Sequence, residues 1–350
     1  MGCDGALNSC QAGCRDMYKT YLIGVVLLLT THPAAAVEYA ENPLLLNEHL
    51  LVSDQGLAVY DPVTLRLRWS VLQGEQTLEP VVADGLVLLS GGQGLQALDL
   101  ASGKTRWRWR SETTLFSPSL DEGVAYLSGE DGTLVALRLV DGERLWQRRF
   151  DGWVYPPAVF GELLITGGSE GLLWAVDRRS GELRWQRPLG QELIYSPRAL
   201  DSGSVVVTTF AGEVKVYSAQ GELRWTRRFA SLKSGLLVSG ERILLSGLDG
   251  RIDALDAATG ESLWQRSLGE RLTLPAALHG ERLLVVGDAG HLFEIDTGDG
   301  RLISRTRLIG EPVAAPLVYP QHTLFFMRSR ALPRAVLIPR QSGDNNDQEI

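Results

Sequence analysis

Four histidines, His49, His279, His291 and His322, are the first places to look for chemistry, with His32 nearer the N-terminus. They are scattered, and no two have the H-x-x-x-H spacing that sets a pair of imidazoles on one metal. Cys3, Cys10 and Cys14 all fall before the first long apolar run. Gly91-Gly-Gln-Gly94 has no helix after it to aim backbone amides at a phosphate. Neither a nucleophile elbow nor a triad signature occurs. No catalytic, metal-binding or cofactor-binding residue is assigned, and the expectation is a protein that works without a cofactor and not as an enzyme.

What remains is the chemistry of recognition. Carboxylates recur at similar places along the chain: Glu75, Glu79, Glu112, Asp151, Glu192, Glu270 and Glu311. Phe116, Trp153, Tyr155 and Tyr195 lie among them. Solvated loops would account for this pattern, and so would a docking surface for an extended or basic partner; a metal or catalytic carboxylate cluster is a third reading. The candidate interaction face is Glu112, Phe116, Asp151, Trp153, Tyr155, Glu192, Tyr195 and Glu270.

Those residues share a face only if the segments carrying them repeat around an axis, and a repeat is present. Trp69, Trp107, Trp146, Trp185, Trp225 and Trp264 follow one another at spacings of 38, 39, 39, 40 and 39 residues. Gly103, Gly142, Gly181, Gly221 and Gly260 each stand four residues before a tryptophan. Asp99, Asp177 and Asp256 stand four before a glycine, and Asp61 eight before Trp69. A seventh copy, Asp296 to Ser304, keeps the acid and Gly300 but has Ser in place of Trp. Pro43, Pro80, Pro118, Pro157, Pro197, Pro275 and Pro316 open the units, and only the unit near Gly235 lacks one. A fixed period of this length marks a repeat architecture.

Within the unit Pro80 to Ser117, Val81-Val82 is a short apolar strand and Asp84-Gly85 a turn. Leu86 to Ser90 is a continuous apolar run, Leu95 to Asp99 alternates, and Arg106-Trp-Arg-Trp-Arg110 alternates with both indoles on one face. Four short antiparallel strands per unit make a propeller blade. Seven full units run from Pro43 to about Ala315. An eighth begins at Pro316 with strands at Leu317-Val318, Thr323 to Met327 and Ala335 to Ile338. The expected fold is all-β, an eight-bladed β-propeller over 37–340, with Val37 to Glu41 closing the eighth blade as its outer strand; a seven-bladed ring with a ragged end is the alternative. Residues 341–350 are polar and read as a disordered tail.

The tryptophans are expected to pack between neighbouring blades near the glycine of the adjacent turn, where each indole buries roughly 150–250 Å². Trp185→Ala is accordingly expected to cost about 3–5 kcal/mol, and Ser304 marks the weakest junction. The fourth-strand arginines (Arg106, Arg108, Arg110, Arg148, Arg149, Arg187, Arg227, Arg228 and Arg266) are placed on the outer wall, where they protect sheet edges or attract anionic lipid or an acidic partner.

Residues 1–36 read as an export signal. Lys19 precedes the apolar run Tyr21 to Leu29, and Ala34-Ala-Ala36 supplies small residues for cleavage. The run is too short to span a bilayer, which takes roughly 20 residues. The signal begins most naturally at Met17, which makes 1–16 an over-extended start. Cleavage after Ala36 leaves a cysteine-free periplasmic protein, which excludes disulfides and thiolate metal sites from the folded domain. Gln11-Ala-Gly-Cys14 has no hydrophobic segment before it, so no lipid anchor is expected. Lys and Arg number 34 against 42 Asp and Glu, a net charge of −8. That lacks the basic footprint nucleic-acid binding requires. A monomer, with no transmembrane segment once the signal is removed, is the expected state.

Variants of the phrase G-x-L-x-A-L-D-x-x-(S/T)-G-x-x-x-W, at Gly94 to Trp107, Gly171 to Trp185 and Gly250 to Trp264, resemble the PQQ-type propeller repeat. The resemblance covers the whole chain after the signal. Two families use this repeat prominently, the quinoprotein dehydrogenases and the BamB-like periplasmic propellers; a propeller that binds a small ligand or polymer of unknown specificity is a further reading. Similarity to the second implies a non-enzymatic scaffold that supports outer-membrane protein assembly and binds other envelope proteins. Similarity to the first would imply insertions for a PQQ pocket, a calcium site and often paired cysteines, none of which is visible. Two departures from the BamB-like pattern are the missing lipobox cysteine and Trp-to-Pro loops of only 11 or 12 residues. No partner-binding residue is carried over from the family.

Overall fold

The computed structural model describes residues 41–339, except 47–48, 54–55, 63, 65, 73–76, 194, 309–310, 313–314, 319–321 and 329–333. The signal region, Val37 to Ala40 and the tail 341–350 lie outside the described residues. Among the described residues every regular element is a β-strand, and the strands form eight four-stranded antiparallel sheets. Blades one to seven are simple meanders over 41–72, 81–110, 119–149, 158–188, 198–228, 233–267 and 277–307. In blade eight, Glu311–Pro312 and Leu317–Val318 both pair with His322–Arg328, which pairs with Arg334–Pro339. Glu41–Leu46, the innermost strand of blade one, adjoins Leu317–Val318 of blade eight, so the ring closes.

The expected outer strand at Val37 to Glu41 is corrected in the one residue that is described. Glu41 pairs with Ser53 inside blade one. A residue committed to the innermost strand of the first blade cannot also form the outermost strand of the last.

Burial follows position in the blade. The second and third strands are covered on both faces by neighbouring blades, so Val87, Leu88 and Leu98 are fully buried and these strands read as apolar runs. Outer strands such as Thr105–Arg110 and Arg144–Arg149 alternate between exposed and half-buried residues. The core is a series of clusters between blades: Leu88, Ala97, Leu127 and Val135 join blades two and three, and Leu245, Leu255, Val206 and Val216 join five and six. Asp84-Gly85, with φ of 49° and 73°, closes the first hairpin of blade two with the positive φ angles that a two-residue hairpin turn demands.

A bulge recurs where the third strand of each of the first seven blades meets the fourth. In blade two, Ala97 pairs with Trp107 and Leu98 with Thr105, leaving Arg106 as the extra residue. The bulge turns Arg106 back toward Asp99 at 2.6 Å. Arg68 reaches Asp61 and Arg184 reaches Asp177 in the same way, at 2.8 and 2.7 Å.

Candidate functional site

The repeated residues have architectural work to do. Each of the six indoles donates its Nε1–H to a backbone carbonyl of the next blade: Leu100, Leu139, Arg178, Ala219, Ala257 and Thr297, at 2.8–3.1 Å. Each ring lies on the glycine of that same turn: Gly103, Gly142, Gly181, Gly221, Gly260 and Gly300. Those glycines have φ of +69° to +76°, and a Cβ on any of them would sit 2.4–2.7 Å from the indole. Only glycine offers both the left-handed backbone and the room.

The outer-wall placement of the arginines needs correction in four cases. Arg148, Arg187, Arg227 and Arg266 lie two residues after a tryptophan, so the two-residue period of a strand puts them on the indole's face. Their guanidinium groups donate to the carbonyls of Gly181, Gly221, Gly260 and Gly300 in the next blade. The acids that recur with the repeat are turn caps. Asp99 accepts from the Ser102 backbone and hydroxyl at 2.9 and 2.7 Å and holds Arg106. Its carboxyl is lowered to about 2, first by the Ser102 hydroxyl and then by Arg106. Asp177 is also lowered to about 2, with Arg184 the leading cause.

The loops from the fourth strand of one blade to the first of the next lie at one end of the ring, and there the structure brings part of the candidate face together. Phe116 has its ring centroid 6.5 Å from Trp153 and 6.1 Å from Tyr155. Tyr155 is nearly buried and donates its hydroxyl to Glu192. Trp153 is exposed, as are Glu112 and Asp151 in the same two loops, while Phe116 and Glu192 are half-buried. An arc over blades two to five thus carries an exposed indole against Phe116, itself against Tyr155, with carboxylates on either side.

Two candidates stand apart from that arc. Tyr195 packs against the core between blades five and six. Glu270 has its side chain only 8% exposed, accepts from the Ala289 amide at 2.8 Å and bonds His291 Nδ1 at 2.8 Å. It ties two loops together and does not face solvent.

Sequence reasoning missed two charged features. Lys233 and Asp253, from the first and third strands of blade six, form a buried pair at 2.5 Å, with the Lys233 ammonium 4.5 Å from the centre of the Phe229 ring. The comparable inner positions in four other blades are Thr77, Leu115, Val154 and Leu193. The absent proline of this unit was the only outward sign. Arg178, nearly buried, joins Asp121, Glu122 and Glu162 at the opposite end of the ring. Among the described residues no three His, Cys, Asp or Glu side chains gather as a metal site, and no helix is long and apolar enough to cross a membrane.

Eight four-stranded blades, with indole-on-glycine contacts at six of their junctions, define a propeller of the PQQ-repeat class. The sequence profile described as outer membrane protein assembly factor BamB matches residues 53–247 and 248–332, and the chain belongs to that family. The outer membrane protein assembly factor BamB of Yersinia pestis is 28% identical over 296 residues, covering 80% of this chain and 67% of that one. The crystal structure of BamB from Moraxella catarrhalis has the same fold, with a TM-score of 0.67 at 18% identity over 81% of this chain and 92% of that one. A europium-containing methanol dehydrogenase shares the fold at a TM-score of 0.60 and 12% identity, covering 82% of each chain.

Proposed function

We propose that this chain is a non-enzymatic periplasmic scaffold that supports outer-membrane protein assembly, and that it docks other envelope proteins on the loop arc around Trp153. The observation that carries this reading is the family match, which runs through nearly all of the described propeller. The repeat tryptophans, glycines and aspartates are committed to the ring itself. That leaves the loops as the variable surface, the usual place for function on a rigid frame.

The arc suits such a role. Trp153 offers a partly exposed indole packed against Phe116, which in turn packs on Tyr155, and aromatic residues of this kind anchor protein interfaces. Glu112 and Asp151 add negative charge that favours a basic or extended partner. Several loops engaged at once would give avidity from individually weak contacts. In this reading the signal is cleaved after Ala36, no lipid is attached, and the protein acts as a monomer.

The test is affinity capture from a periplasmic and outer-membrane extract with protein starting at Val37, beside an absorbance titration with PQQ and calcium. Recovery of outer-membrane assembly proteins, reduced by Trp153→Ala and without quinone uptake, is the expected result. Stoichiometric PQQ binding with dye-linked oxidation of an alcohol or sugar would make the chain a small quinoprotein instead.

A further inference from the structure

At the end of the ring opposite the aromatic arc, each junction brings together the first hairpin turn of one blade and the third-to-fourth-strand turn of the next. Two adjacent junctions differ in one side chain. Between blades three and four, Arg178 reaches back to Asp121 and to Glu122, the latter at 2.9 Å, with Glu162 at 3.5 Å. Its side chain is 9% exposed, so it fills the gap between the two turns.

Between blades two and three the same place is held by Leu139. The correspondence is fixed by the backbone, because the carbonyls of Arg178 and Leu139 accept from Trp146 and Trp107, each at 2.9 Å. Asp84 takes the place of Glu122: each precedes a turn glycine and each has a positive φ, 49° and 42°. The second junction therefore keeps a carboxylate and lacks the guanidinium that answers it. Asp84 is exposed, with no partner of its own among the described residues.

A cleft of about 540 Å³ opens there, lined by Asp84, Leu86, Asp99, Arg106, Leu139 and Val140. Arg106 is held by Asp99 at 2.6 Å, so the two cancel and Asp84 sets the net charge of the wall. Val140 is 73% exposed, the most exposed large apolar residue described. A wall of Leu86, Leu139 and Val140 leading to one carboxylate matches a long apolar stem that ends in a cation.

We propose that this cleft receives an arginine side chain from an extended segment of a partner protein. The guanidinium sits on Asp84 and its methylenes lie along Leu86 and Val140. The neighbouring junction shows the occupant in place, supplied by the chain itself as Arg178. Arginine suits the site better than lysine because its planar fork spreads its donors over the carboxylate and the turn, as Arg178 does over three acids. This surface is separate from the loop arc and stands or falls independently of it.

The test is fluorescence anisotropy with a labelled Gly-Ser-Arg-Ser-Gly peptide and its twin with citrulline, which keeps the shape and removes the charge. The arginine peptide is expected to bind about tenfold more tightly or better. Asp84→Asn should erase the difference, and Leu139→Arg should abolish binding by filling the cleft from within. Asp84 is exposed, so Asp84→Asn should leave the melting curve unchanged even where Leu139→Arg disturbs folding. No binding of the arginine peptide, equal binding of both peptides, or an arginine preference that survives Asp84→Asn would overturn the proposal.

Discussion

Six blade junctions and the seventh are built differently. At the six, an indole lies on a glycine and bonds the backbone beyond it, and in four an arginine adds a second cross-blade hydrogen bond. At the seventh, half-buried Ser304 stands in the indole's place. In the sequence, Leu65 stands four residues before Trp69, where the next six repeats have glycine, and Pro316 to Arg340 contains neither Gly nor Trp. Indole and receiving glycine are thus lost together on either side of blade eight. Each is useful only with its partner: an indole without the gap is a clash, and a positive-φ glycine without an indole is only a cost in chain entropy.

That contrast can be broken by mutation, and the largest effect is expected at the indole. Trp185→Ala should cost about 3 kcal/mol in urea melts, the low end for a large aromatic because the ring is half-buried. Gly221→Ala, placed in the left-handed region and 2.7 Å from that ring, should cost about 2 kcal/mol. The double variant should cost about 1 kcal/mol less than the sum, since removing the indole removes the overlap. Strict additivity would show that the two do not act as one contact.

Smaller effects sharpen the comparison. Arg187→Ala loses a hydrogen bond of 2.7 Å to the Gly221 carbonyl and should cost about 1 kcal/mol. Asp99 and Asp177 are held at about 2 by their turn hydrogen bonds and arginines, below the ordinary 3.8. A depressed carboxyl stabilises the fold above its ordinary range, and that stabilisation is lost as pH falls from about 4 through about 2. Asp177→Asn should therefore flatten the acid limb of the stability curve. Ser304→Ala is expected to change stability by less than about 0.5 kcal/mol. A loss comparable to that of Trp185→Ala would erase the distinction between the junctions.

The fold was legible because its landmarks recur in phase. The strands of blade eight fell within a few residues of expectation, at Leu317–Val318, His322–Arg328 and Arg334–Pro339. What the repeat could not reveal was which side chains cross between blades. Arg148 and Arg149 are neighbours of one type, yet Arg148 bonds Gly181 in the next blade while Arg149 turns to Asp131 in its own. The loops were harder still. Glu112 and Glu270 occupy comparable loops, but His291 and the Ala289 amide draw Glu270 inward, and those partners come from a different strand and turn. The Asp84 cleft is visible only by comparing one junction with the next in three dimensions.

The most direct test of the scaffold reading is site-specific photocrosslinking in intact cells. A photoreactive residue at position 153 samples the aromatic arc, and one at position 224, an exposed arginine on the outer wall, serves as the control. The account expects adducts with outer-membrane assembly proteins at 153 and none above background at 224. Equal labelling at the two positions, or no adduct at 153, would contradict it.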